Sequence, residues 1–573
     1  MITAGVDCGS RNIKSVIIEG GRIIGKACSP AGPDQAVAVE AGLSKALYQA
    51  GVGLKELAGI GATGSGRDFA GVACAKVDEV EAMRLGAGFY FPGARTVVDV
   101  GAEEGRAAKL DHEGRIADFV VNERCAAAAG AFIDTMSRVL DAPIEHMGPL
   151  ALESDKQVPM SAECVVFAES EVEELIYART EKRDIIRAVY ESMAGRIASL
   201  IRRIGINREV VMVGGAARDP ALLAALKREL ELEKIHVPEG PEYASALGAA
   251  LAAAGEGAGS HARRTPGEPR IRGVWDTAVE RNPECRAWPE SNWGTPESAW
   301  RDAAYITVGI DVGSVGSQAV VMADGEIAAY GSRRNGPNRD ESSGEALDLA
   351  LKALGDRLED RIDYVVGTGY GRVNMPMADR TLTEIACQAR GAVHLFGPGV
   401  RTVLDVGGQD IKVIRCDERG KVVDFLMNDK CAAGTGRGME VFAELLGVPI
   451  QEVGERSFQV GGEPEAVYGT CVVFAELEAL ALLRSGWSVE EVLAAYCRFT
   501  AEQIFSVVDK SGPVPGLGIT GGMAKNRGVM DRLVPMMGLE AMETEWDPQI
   551  AGAAGAALFG YALCVRGKGR RKK

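Results

Sequence analysis

The chain has 573 residues, of which 46% are hydrophobic and 25% are charged; it is too long for one hydrophobic core, and its composition excludes a disordered chain. The net charge of −16 disfavours nucleic acid as a general partner. We find neither a basic N-terminal segment followed by an apolar run nor an apolar stretch of about 18 residues, so we expect a cytoplasmic protein that has no membrane partner.

The N-terminal stretch predicts a strand, a Gly-Ser turn and a second strand, in the residues Ala4-Gly-Val-Asp7-Cys-Gly-Ser-Arg-Asn-Ile-Lys-Ser-Val-Ile-Ile-Glu19. Nearly the same pattern returns at Val308-Gly-Ile-Asp311-Val-Gly-Ser-Val-Gly-Ser-Gln-Ala-Val-Val-Met322. Further motifs recur in the same order, among them Thr96-Val-Val-Asp-Val-Gly101 with Thr402-Val-Leu-Asp-Val-Gly407. The sequence therefore predicts a tandem duplication with an offset of about 306 residues.

Strands alternate with helices in each half, which predicts α/β layers with the ligand at the strand ends. The expected boundaries are a first module at 1–254, a linker at 255–302, a second module at 303–565 and a basic tail at 566–573. The linker shows no sustained period of 2 or 3.6 residues. It nevertheless contains Trp275, Trp288 and Trp293, and aromatic residues are scarce in disordered spacers, so we expect it to pack on the protein.

Two cysteine segments occur in both halves. Cys431 and Cys471 are 40 residues apart, and their counterparts Cys125 and Cys164 are 39 apart. A single cysteine is commonly a buried apolar thiol, but of the twelve cysteines only these four coincide when the halves are superposed. In a chain without an export signal we expect reduced thiols or metal ligands, and four matched cysteines indicate one shared site.

Glycine-rich turns follow the predicted strands of the second half. Asp311 ends a strand before Gly313 and Ser314, and glycine lets backbone N–H groups approach phosphate oxygens. A strand-end carboxylate also suits Mg²⁺, which takes one or two carboxylates and keeps most of its waters.

The same pattern recurs at Asp405-Val-Gly407-Gly408-Gln409-Asp410, so that Asp311 and Asp405 could face each other across a triphosphate. Gly521 and Gly522, also at a strand end, would let the backbone approach the nucleoside. One such turn could be an ordinary β-turn, but a series of three turns that occurs in the same order in both halves indicates a nucleotide site.

The order of these motifs resembles that of the acetate kinase, sugar kinase, Hsp70 and actin superfamily. The cysteine segments resemble those of the activator ATPases, of the BadF/BadG/BcrA/BcrD type, of 2-hydroxyacyl-CoA dehydratases and benzoyl-CoA reductases. The resemblance spans both halves and is densest at Asp405 to Asp410, Thr383 to Ala392, Asn428 to Gly438 and Cys471 to Glu476.

This resemblance implies an α/β fold with two tandem actin-like (ribonuclease H-like) ATPase modules in one chain, each of two lobes. In that family two modules share one [4Fe-4S] cluster, with two cysteines from each. It therefore implies that Cys125, Cys164, Cys431 and Cys471 bind one cluster at the contact between the halves. It also implies that Gln409 or Asp410 positions the water that attacks ATP.

The implied function is an ATP-dependent iron–sulfur protein that donates a low-potential electron to an acceptor metalloenzyme, such as a 2-hydroxyacyl-CoA dehydratase or an aryl-CoA reductase. An upstream donor such as ferredoxin or flavodoxin would supply the electron. The alternative is a small-molecule kinase of the same superfamily with structural cysteines. The chain contains no His-Glu-x-x-His and no Cys-x-x-Cys motif, and a zinc enzyme is therefore not expected.

The two halves differ at the second phosphate motif. The first half has Ala102 in place of a glycine, followed by Glu103 and Glu104, which place negative charge where a phosphate should bind. It also has Ala128-Ala-Gly130 after its cysteine instead of Gly434-Thr-Gly436. We expect that the second half hydrolyses ATP, and that the first half binds nucleotide weakly or not at all.

Overall fold

The computed structural model describes residues 1–31, 35–73, 75–122, 125–160, 164–255, 281–336, 339–355, 361–467 and 471–567. The chain divides into two compact units. The first consists of Met1–Thr277 and Gly469–Ser485, and the second consists of Ala278–Tyr468 and Gly486–Lys573. A short segment from the second half of the sequence thus belongs to the first unit. The module boundaries expected from the repeat stay a prediction.

The first unit contains a five-stranded sheet, ordered β3-β2-β1-β4-β5, and a four-stranded sheet, ordered β8-β7-β6-β9. Its strands are β1 Ile2–Cys8, β2 Asn12–Glu19, β3 Arg22–Pro30, β4 Gly59–Thr63, β5 Ala75–Lys76, β6 Thr96–Val100, β7 Gly105–Leu110, β8 Ile116–Val121 and β9 Val210–Val213. Its helices are α1 Gln35–Ala50, α2 Glu79–Tyr90, α3 Gly130–Val139, α4 Ile144–Leu152, α5 Val165–Tyr177, α6 Lys182–Ile204, α7 Pro220–Glu229 and α8 Ala244–Ala253, together with α13 Val472–Arg484 from the second half of the sequence.

The second unit contains a six-stranded sheet, ordered β10-β13-β12-β11-β14-β15, and a four-stranded sheet, ordered β18-β17-β16-β19. Its strands are β10 Ser291–Gly294, β11 Ile306–Val312, β12 Gly316–Ala323, β13 Glu326–Arg334, β14 Ile362–Gly369, β15 Arg380–Thr381, β16 Thr402–Val406, β17 Ile411–Cys416, β18 Val422–Asn428 and β19 Leu517–Thr520. Its helices are α9 Arg339–Ala353, α10 Glu384–Phe396, α11 Gly436–Leu446, α12 Ile450–Arg456, α14 Val489–Ser511, α15 Arg527–Met537 and α16 Ala551–Val565.

Each unit therefore has two lobes, each built around one sheet, and the predicted fold class is confirmed. Large and small sheets share one arrangement, in which the first strand of an antiparallel hairpin also pairs with a parallel strand. In the large sheet of the first unit, β1 pairs antiparallel with β2 and parallel with β4. In the small sheet of the second unit, β16 pairs antiparallel with β17 and parallel with β19. Strand-end residues of the hairpin and of its parallel neighbour consequently meet at one edge of each sheet.

The alanine- and glycine-rich helix α16 packs closely on the large sheet of the second unit. A Cβ atom on Gly309 in β11 would lie only 1.9 Å from the carbonyl oxygen of Ala553, so small residues on both elements permit this approach. Among the described residues, the helical segment Pro548–Val565 is long and apolar enough to cross a membrane, which corrects only the statement that no apolar stretch reaches about 18 residues. That segment is 61% buried inside the protein, as in a core helix.

The described part of the linker, from residue 281, packs on the second unit. Strand β10 pairs antiparallel with β13 and extends the sheet at its edge. The Trp293 ring lies 5.0 Å from that of Trp546 and 6.4 Å from that of Tyr330. The expectation that the linker packs on the protein is met at Trp293, whereas Trp275 lies outside the described residues.

Candidate functional site

The ammonium group of Lys412 lies among three carboxylates at the edge of the small sheet in the second unit. Its Nζ atom lies 2.9 Å from Oε1 of Glu384, 3.2 Å from Oδ2 of Asp405 and 2.6 Å from Oδ1 of Asp410. The Lys412 side chain is only 1% exposed. Burial alone would lower the pKa of this lysine, but the three carboxylates raise it well above its ordinary value.

The β16–β17 hairpin sets this arrangement. Asp405 and Lys412 are directly opposite each other in its antiparallel register, which places both side chains on one face. The other oxygen of Asp405, Oδ1, accepts a hydrogen bond of 2.9 Å from Oγ1 of Thr520 on the adjoining strand β19. Both oxygens of Asp405 are therefore held in place.

Asp311 presents a different environment at the end of β11. Its side chain is buried, and its Oδ1 atom has no hydrogen-bond partner among the described residues. Burial raises the pKa of Asp311 well above its ordinary value, and the neighbouring carboxylates of Glu384 and Asp405 add to this effect. A buried carboxylate oxygen without a donor is a site where a hydrated cation or a water molecule would be stabilised.

The two predicted phosphate turns of the second unit are in contact. A Cβ atom on Gly408 would lie 2.3 Å from Cγ2 of Val315 and 3.1 Å from Oγ of Ser314, so only glycine fits there. The N–H of Gly313 donates to the carbonyl of Gly316, which closes the first turn. The structure thus brings Gly313 and Ser314 next to the second turn.

In that second turn, the N–H of Gly407 donates over 2.9 Å to the carbonyl of Asp410. Gln409 is half-buried within it. The turn also receives the N-terminus of α11, because Gly436 N–H donates to the Gly407 carbonyl over 2.9 Å. These N–H groups stabilise the loop itself, so a phosphate oxygen at this turn would depend on other backbone donors, such as the N–H of Gly408.

The third predicted turn follows β19. A Cβ on Gly521 would lie 2.3 Å from the carbonyl oxygen of Val406 and 3.0 Å from Oδ1 of Asp405, which places this glycine beside the Lys412 cluster. A Cβ on Gly522 would lie 3.0 Å from Nε2 of Gln549 instead. Gly522 therefore lies beside the side chain of Gln549.

Oxygen atoms of Glu384, Asp405 and Asp410 lie within 4.8 Å of one another, a spacing that could hold a metal ion. The ammonium of Lys412 already bonds to all three groups. We therefore assign to Lys412, and not to a metal ion, the positive charge that balances these three carboxylates. Asp311, whose Oδ1 has no donor among the described residues, is the carboxylate that fits a hydrated Mg²⁺.

The corresponding site of the first unit differs at the residue opposite the strand-end aspartate. Lys14 is opposite Asp7, and its Nζ atom lies 3.0 Å from Oδ2 of Asp7. Burial lowers the pKa of Lys14, but Asp7 and the more distant Asp99 raise it by more. In the second unit Gln318 occupies this position, and its Nε2 atom bonds to Ser332 instead of Asp311.

The second aspartate of the first unit, Asp99, also faces a cation. Arg106 is opposite it in the β6–β7 register and lies 3.2 Å from its Oδ2 atom. Arg106 also forms ion pairs with Glu79 and Glu104, so it holds three acids just as Lys412 does. Burial raises the pKa of Asp99, although Arg106 lowers it.

The first unit retains a cleft of about 770 Å³ around these residues. Its basic lining residues each form an ion pair with an acid of the same unit; they are Arg11, Lys14, Arg106 and Arg218. The acidic lining includes Glu103 and Glu104. The cleft is large enough for a nucleotide, but its cations are already neutralised, which disfavours binding of a triphosphate.

Three of the four matched cysteines are in the first unit. Cys164 and Cys471 are buried, and each immediately precedes a helix, α5 and α13 respectively. These two helices are in contact. Cys125 precedes a short 3-10 turn, Ala126–Ala128, that leads to α3. Cys431 is in the second unit, half-buried before α11. Thiols at helix N-termini suit an anionic iron–sulfur centre.

The loop from Cys431 to α11 shows why the halves differ there. Gly434 has φ of +85°, a conformation that glycine adopts without strain. The hydroxyl of Thr435 donates to the Ala432 carbonyl over 2.8 Å. In the first unit, alanines form a 3-10 turn at the same place, and Gly130 N–H still donates to the Gly101 carbonyl. Both cysteine loops are therefore attached to a strand-end turn.

A protein-family model described as the BadF/BadG/BcrA/BcrD ATPase family matches residues 4–253 and residues 308–560. The chain belongs to this family. Two consecutive matches confirm the resemblance and the tandem arrangement inferred from the sequence, and membership supports an ATPase activity.

Three proteins that are similar to this chain are each matched over almost their whole length by less than half of it. The activator of lactoyl-CoA dehydratase from Anaerotignum propionicum is 39% identical over 261 residues, which cover 44% of this chain and 97% of the relative. A benzoyl-CoA reductase subunit from Thauera aromatica is 32% identical over 265 residues, with coverage of 44% and 93%. A solved structure, the activator of the 2-hydroxyisocaproyl-CoA dehydratase from Clostridium difficile with bound ADPNP, is 34% identical, covers 45% of this chain and 95% of that one, and has a TM-score of 0.43. This chain is similar to each of them over about one module.

Sequence reasoning assigned no role to Lys412, Thr520 or Lys14, although all three contact a strand-end aspartate of this family member. A signal for the two lysines was present, because each is seven residues after its aspartate and hence opposite it in the hairpin. The same spacing gives Gln318 opposite Asp311. Thr520 comes from a distant strand, and no local pattern points to it.

Proposed function

We propose that the protein is an ATP-dependent iron–sulfur electron-transfer activator, which donates a low-potential electron to a partner metalloenzyme such as a 2-hydroxyacyl-CoA dehydratase or an aryl-CoA reductase. Relatives named as dehydratase activators and as a component of benzoyl-CoA reductase support the choice of partner class. The observation that carries the proposal is a matched pair of cysteines in each of two segments that fit the same ATPase family.

In this proposal the second module hydrolyses ATP. Asp311 would hold hydrated Mg²⁺ through its Oδ1 atom, which has no donor among the described residues. Asp405, fixed by Thr520 and Lys412, would help to place the ion and its waters. Bound Mg²⁺ would neutralise phosphate charge. Backbone N–H groups of Ser314 and Gly408 would hold the phosphate oxygens, while Gly313 and Gly407, whose N–H groups close the two turns, would position them. Gly521 and Gly522 would contact the nucleoside.

Gln409 and Asp410 are proposed to position the attacking water. Burial raises the pKa of Asp410, as does the nearby Asp405, while Lys412 lowers it. An acid with a raised pKa is a better proton acceptor for a water nucleophile. Lys412 lies 2.6 Å from Oδ1 of Asp410 and fixes the orientation of this carboxylate.

Cys125, Cys164, Cys431 and Cys471 are proposed to hold one [4Fe-4S] cluster, with four thiolates as in most such centres. The cluster would supply one-electron redox chemistry. The residues around Cys431 connect this function to ATP, because α11 begins five residues later and its first N–H group donates to the carbonyl of Gly407. The Gly407–Gly408 turn is therefore connected to the segment that follows Cys431 by two hydrogen bonds, which Gly436 and Arg437 donate to the carbonyls of Gly407 and Gly408.

An upstream donor of low potential, such as ferredoxin or flavodoxin, is proposed to reduce the protein in the cytoplasm. The first module would contribute thiolates but no hydrolysis, since Lys14 neutralises Asp7 and Arg106 neutralises Asp99. One ATP would then be hydrolysed per chain and catalytic cycle.

The test is the metal content of the Cys431→Ser variant after anaerobic purification. The wild-type protein should be brown, contain about four irons per chain and show the spectrum of a cubane cluster, whereas the variant should lose that spectrum. Cys28→Ser is a matched control, because Cys28 is exposed and Ser332 occupies its position in the second unit. A colourless wild-type protein that consumes ATP only with a phosphoryl acceptor would instead identify a kinase.

A further inference from the structure

The segment 281–302 is outside both ranges that match the family model, which end at residue 253 and begin again at residue 308. It nevertheless belongs to the second compact unit. Its residues are therefore an addition to the ATPase module, and their contacts show which part of the module they touch.

One end of this segment is attached to the lobe of the small sheet. The N–H of Asn282 donates over 3.1 Å to the carbonyl of Glu444 near the end of α11. The guanidinium of Arg286 lies 3.2 Å from Oε1 of the same residue, and Glu444 is buried. Cys285, between them, is also buried. These contacts connect the segment to the helix whose other end lies on the Gly407–Gly408 turn.

The other end is attached to the lobe of the large sheet. Strand β10 forms a four-residue antiparallel ladder with β13. The hydroxyl of Ser291 donates to Oδ2 of Asp547 over 3.4 Å, and Trp293 packs on Trp546 and Tyr330. Asp547 precedes α16, which packs on the same sheet. The segment thus connects the two lobes of one module.

Between these attachments the segment passes the turn that follows β19. The ring of Trp288 lies 5.7 Å from Nζ of Lys525. Lys525 Nζ also bonds to Asp547 at 2.5 Å and to Gln549 at 2.6 Å, and Gln549 is the side chain against Gly522. An indole ring is therefore fixed near the turn assigned to the nucleoside, on a chain segment that is no part of the family match.

We propose that residues 282–294 form a strap across the two lobes of the second module that increases its affinity for adenine nucleotide, with Trp288 and Arg286 as positioning residues. The proposal rests on the assignment of ATP binding to this module. A cleft that closes around its ligand loses affinity whenever the open state dominates. A strap bonded to Glu444 on one lobe and to β13 on the other restricts the opening of the cleft. The protein therefore loses less conformational entropy when the nucleotide binds.

The experiment compares Arg286→Ala and Trp288→Ala with wild type in steady-state ATP hydrolysis and in titrations with ADP. Loss of a half-buried ion pair or ring contact should raise KM and the ADP dissociation constant about threefold to tenfold, with kcat within about twofold. Arg301→Ala is the control, because the guanidinium of Arg301 pairs with the exposed Glu297 of its own segment. Arg286→Lys and Trp288→Phe should recover most of the affinity.

A spectroscopic signal separates a positioning role from general stability. Binding of ADP should change the indole fluorescence of the wild type, and Trp288→Phe should remove most of that change while retaining binding. If wild type binds ADP while Arg286→Ala and Trp288→Ala bind it equally well, the strap proposal is wrong and the ATP site stands. If wild type binds no nucleotide, or if Asp405→Asn hydrolyses ATP normally, the proposed function fails instead.

Discussion

Replacement of Lys412 by methionine tests how much the ion pairs of its buried ammonium group stabilise the second unit. The substitution keeps an unbranched side chain of similar length but leaves Glu384, Asp405 and Asp410 without the ammonium that lies 2.6 to 3.2 Å from each. Removal of one partner from a buried ion pair typically costs about 3–5 kcal/mol. That loss is a large part of the about 5–15 kcal/mol that stabilises a typical domain.

Lys412→Arg is the matched control, since Arg106 holds three acids at the corresponding place in the first unit. We expect the arginine variant to lose much less stability than the methionine variant. Urea unfolding followed by tryptophan fluorescence reports on the second unit selectively, because it contains five of the six tryptophans, namely Trp288, Trp293, Trp300, Trp487 and Trp546.

The stability lost in the Lys412→Met variant should depend on pH, and the direction of that dependence follows from the pKa shifts of the neighbouring acids. Burial raises the pKa values of Glu384 and Asp410 in the folded protein, so the folded state binds more protons and stability falls as pH rises through that interval. Without the ammonium these pKa values should rise further. The deficit of Lys412→Met should therefore be smallest near about pH 5 and largest at neutral pH. Equal unfolding midpoints for both variants, or a deficit that grows as pH falls, would refute the reasoning.

Two further predictions concern the strand-end aspartates. Asp405→Asn should lower ATP hydrolysis by at least about a hundredfold, measured as phosphate release, while Asp99→Asn should retain most of it; equal losses would mean that the first site is also catalytic. Lys14→Gln gives Asp7 the same neighbour, a glutamine, that Asp311 has in the second unit. This variant should gain a weak divalent-cation site, which electron paramagnetic resonance of bound Mn²⁺ would detect. An unchanged number of bound Mn²⁺ ions would show that Lys14 is not the residue that excludes the cation from the first unit.

The repeat made much of the fold predictable, because each motif could be compared with its counterpart about 306 residues away. The strand–turn–strand units at Asp311 and Asp405 are present as expected. The contact between Gly408 and the turn of Ser314 was not predictable, since it depends on how two lobes pack. The environment of Asp405 likewise depends on Thr520, a residue 115 positions away.

The membership of Gly469–Ser485 in the first unit was also beyond sequence reasoning. The segment repeats the pattern of Cys164 to Glu169, and this periodicity assigns it to the second module. Its helix α13 instead packs with α5, the corresponding helix of the first half. The repeat shows which segments have similar sequences and therefore similar secondary structure. The helix against which a segment packs depends on long-range contacts, which no local sequence pattern reveals.

The discontinuity of the first unit has a practical and an evolutionary consequence. A single cut of the polypeptide anywhere between the two halves would separate residues 1–254 from α13, so an N-terminal half produced alone would lack one of its own helices and expose the apolar surface that α13 covers. Co-expression of the two halves as separate chains should restore that helix in trans. A gene fusion that joins two such halves would thus convert the packing of α13 on the first half from a contact between subunits into an intramolecular one, which no longer depends on protein concentration.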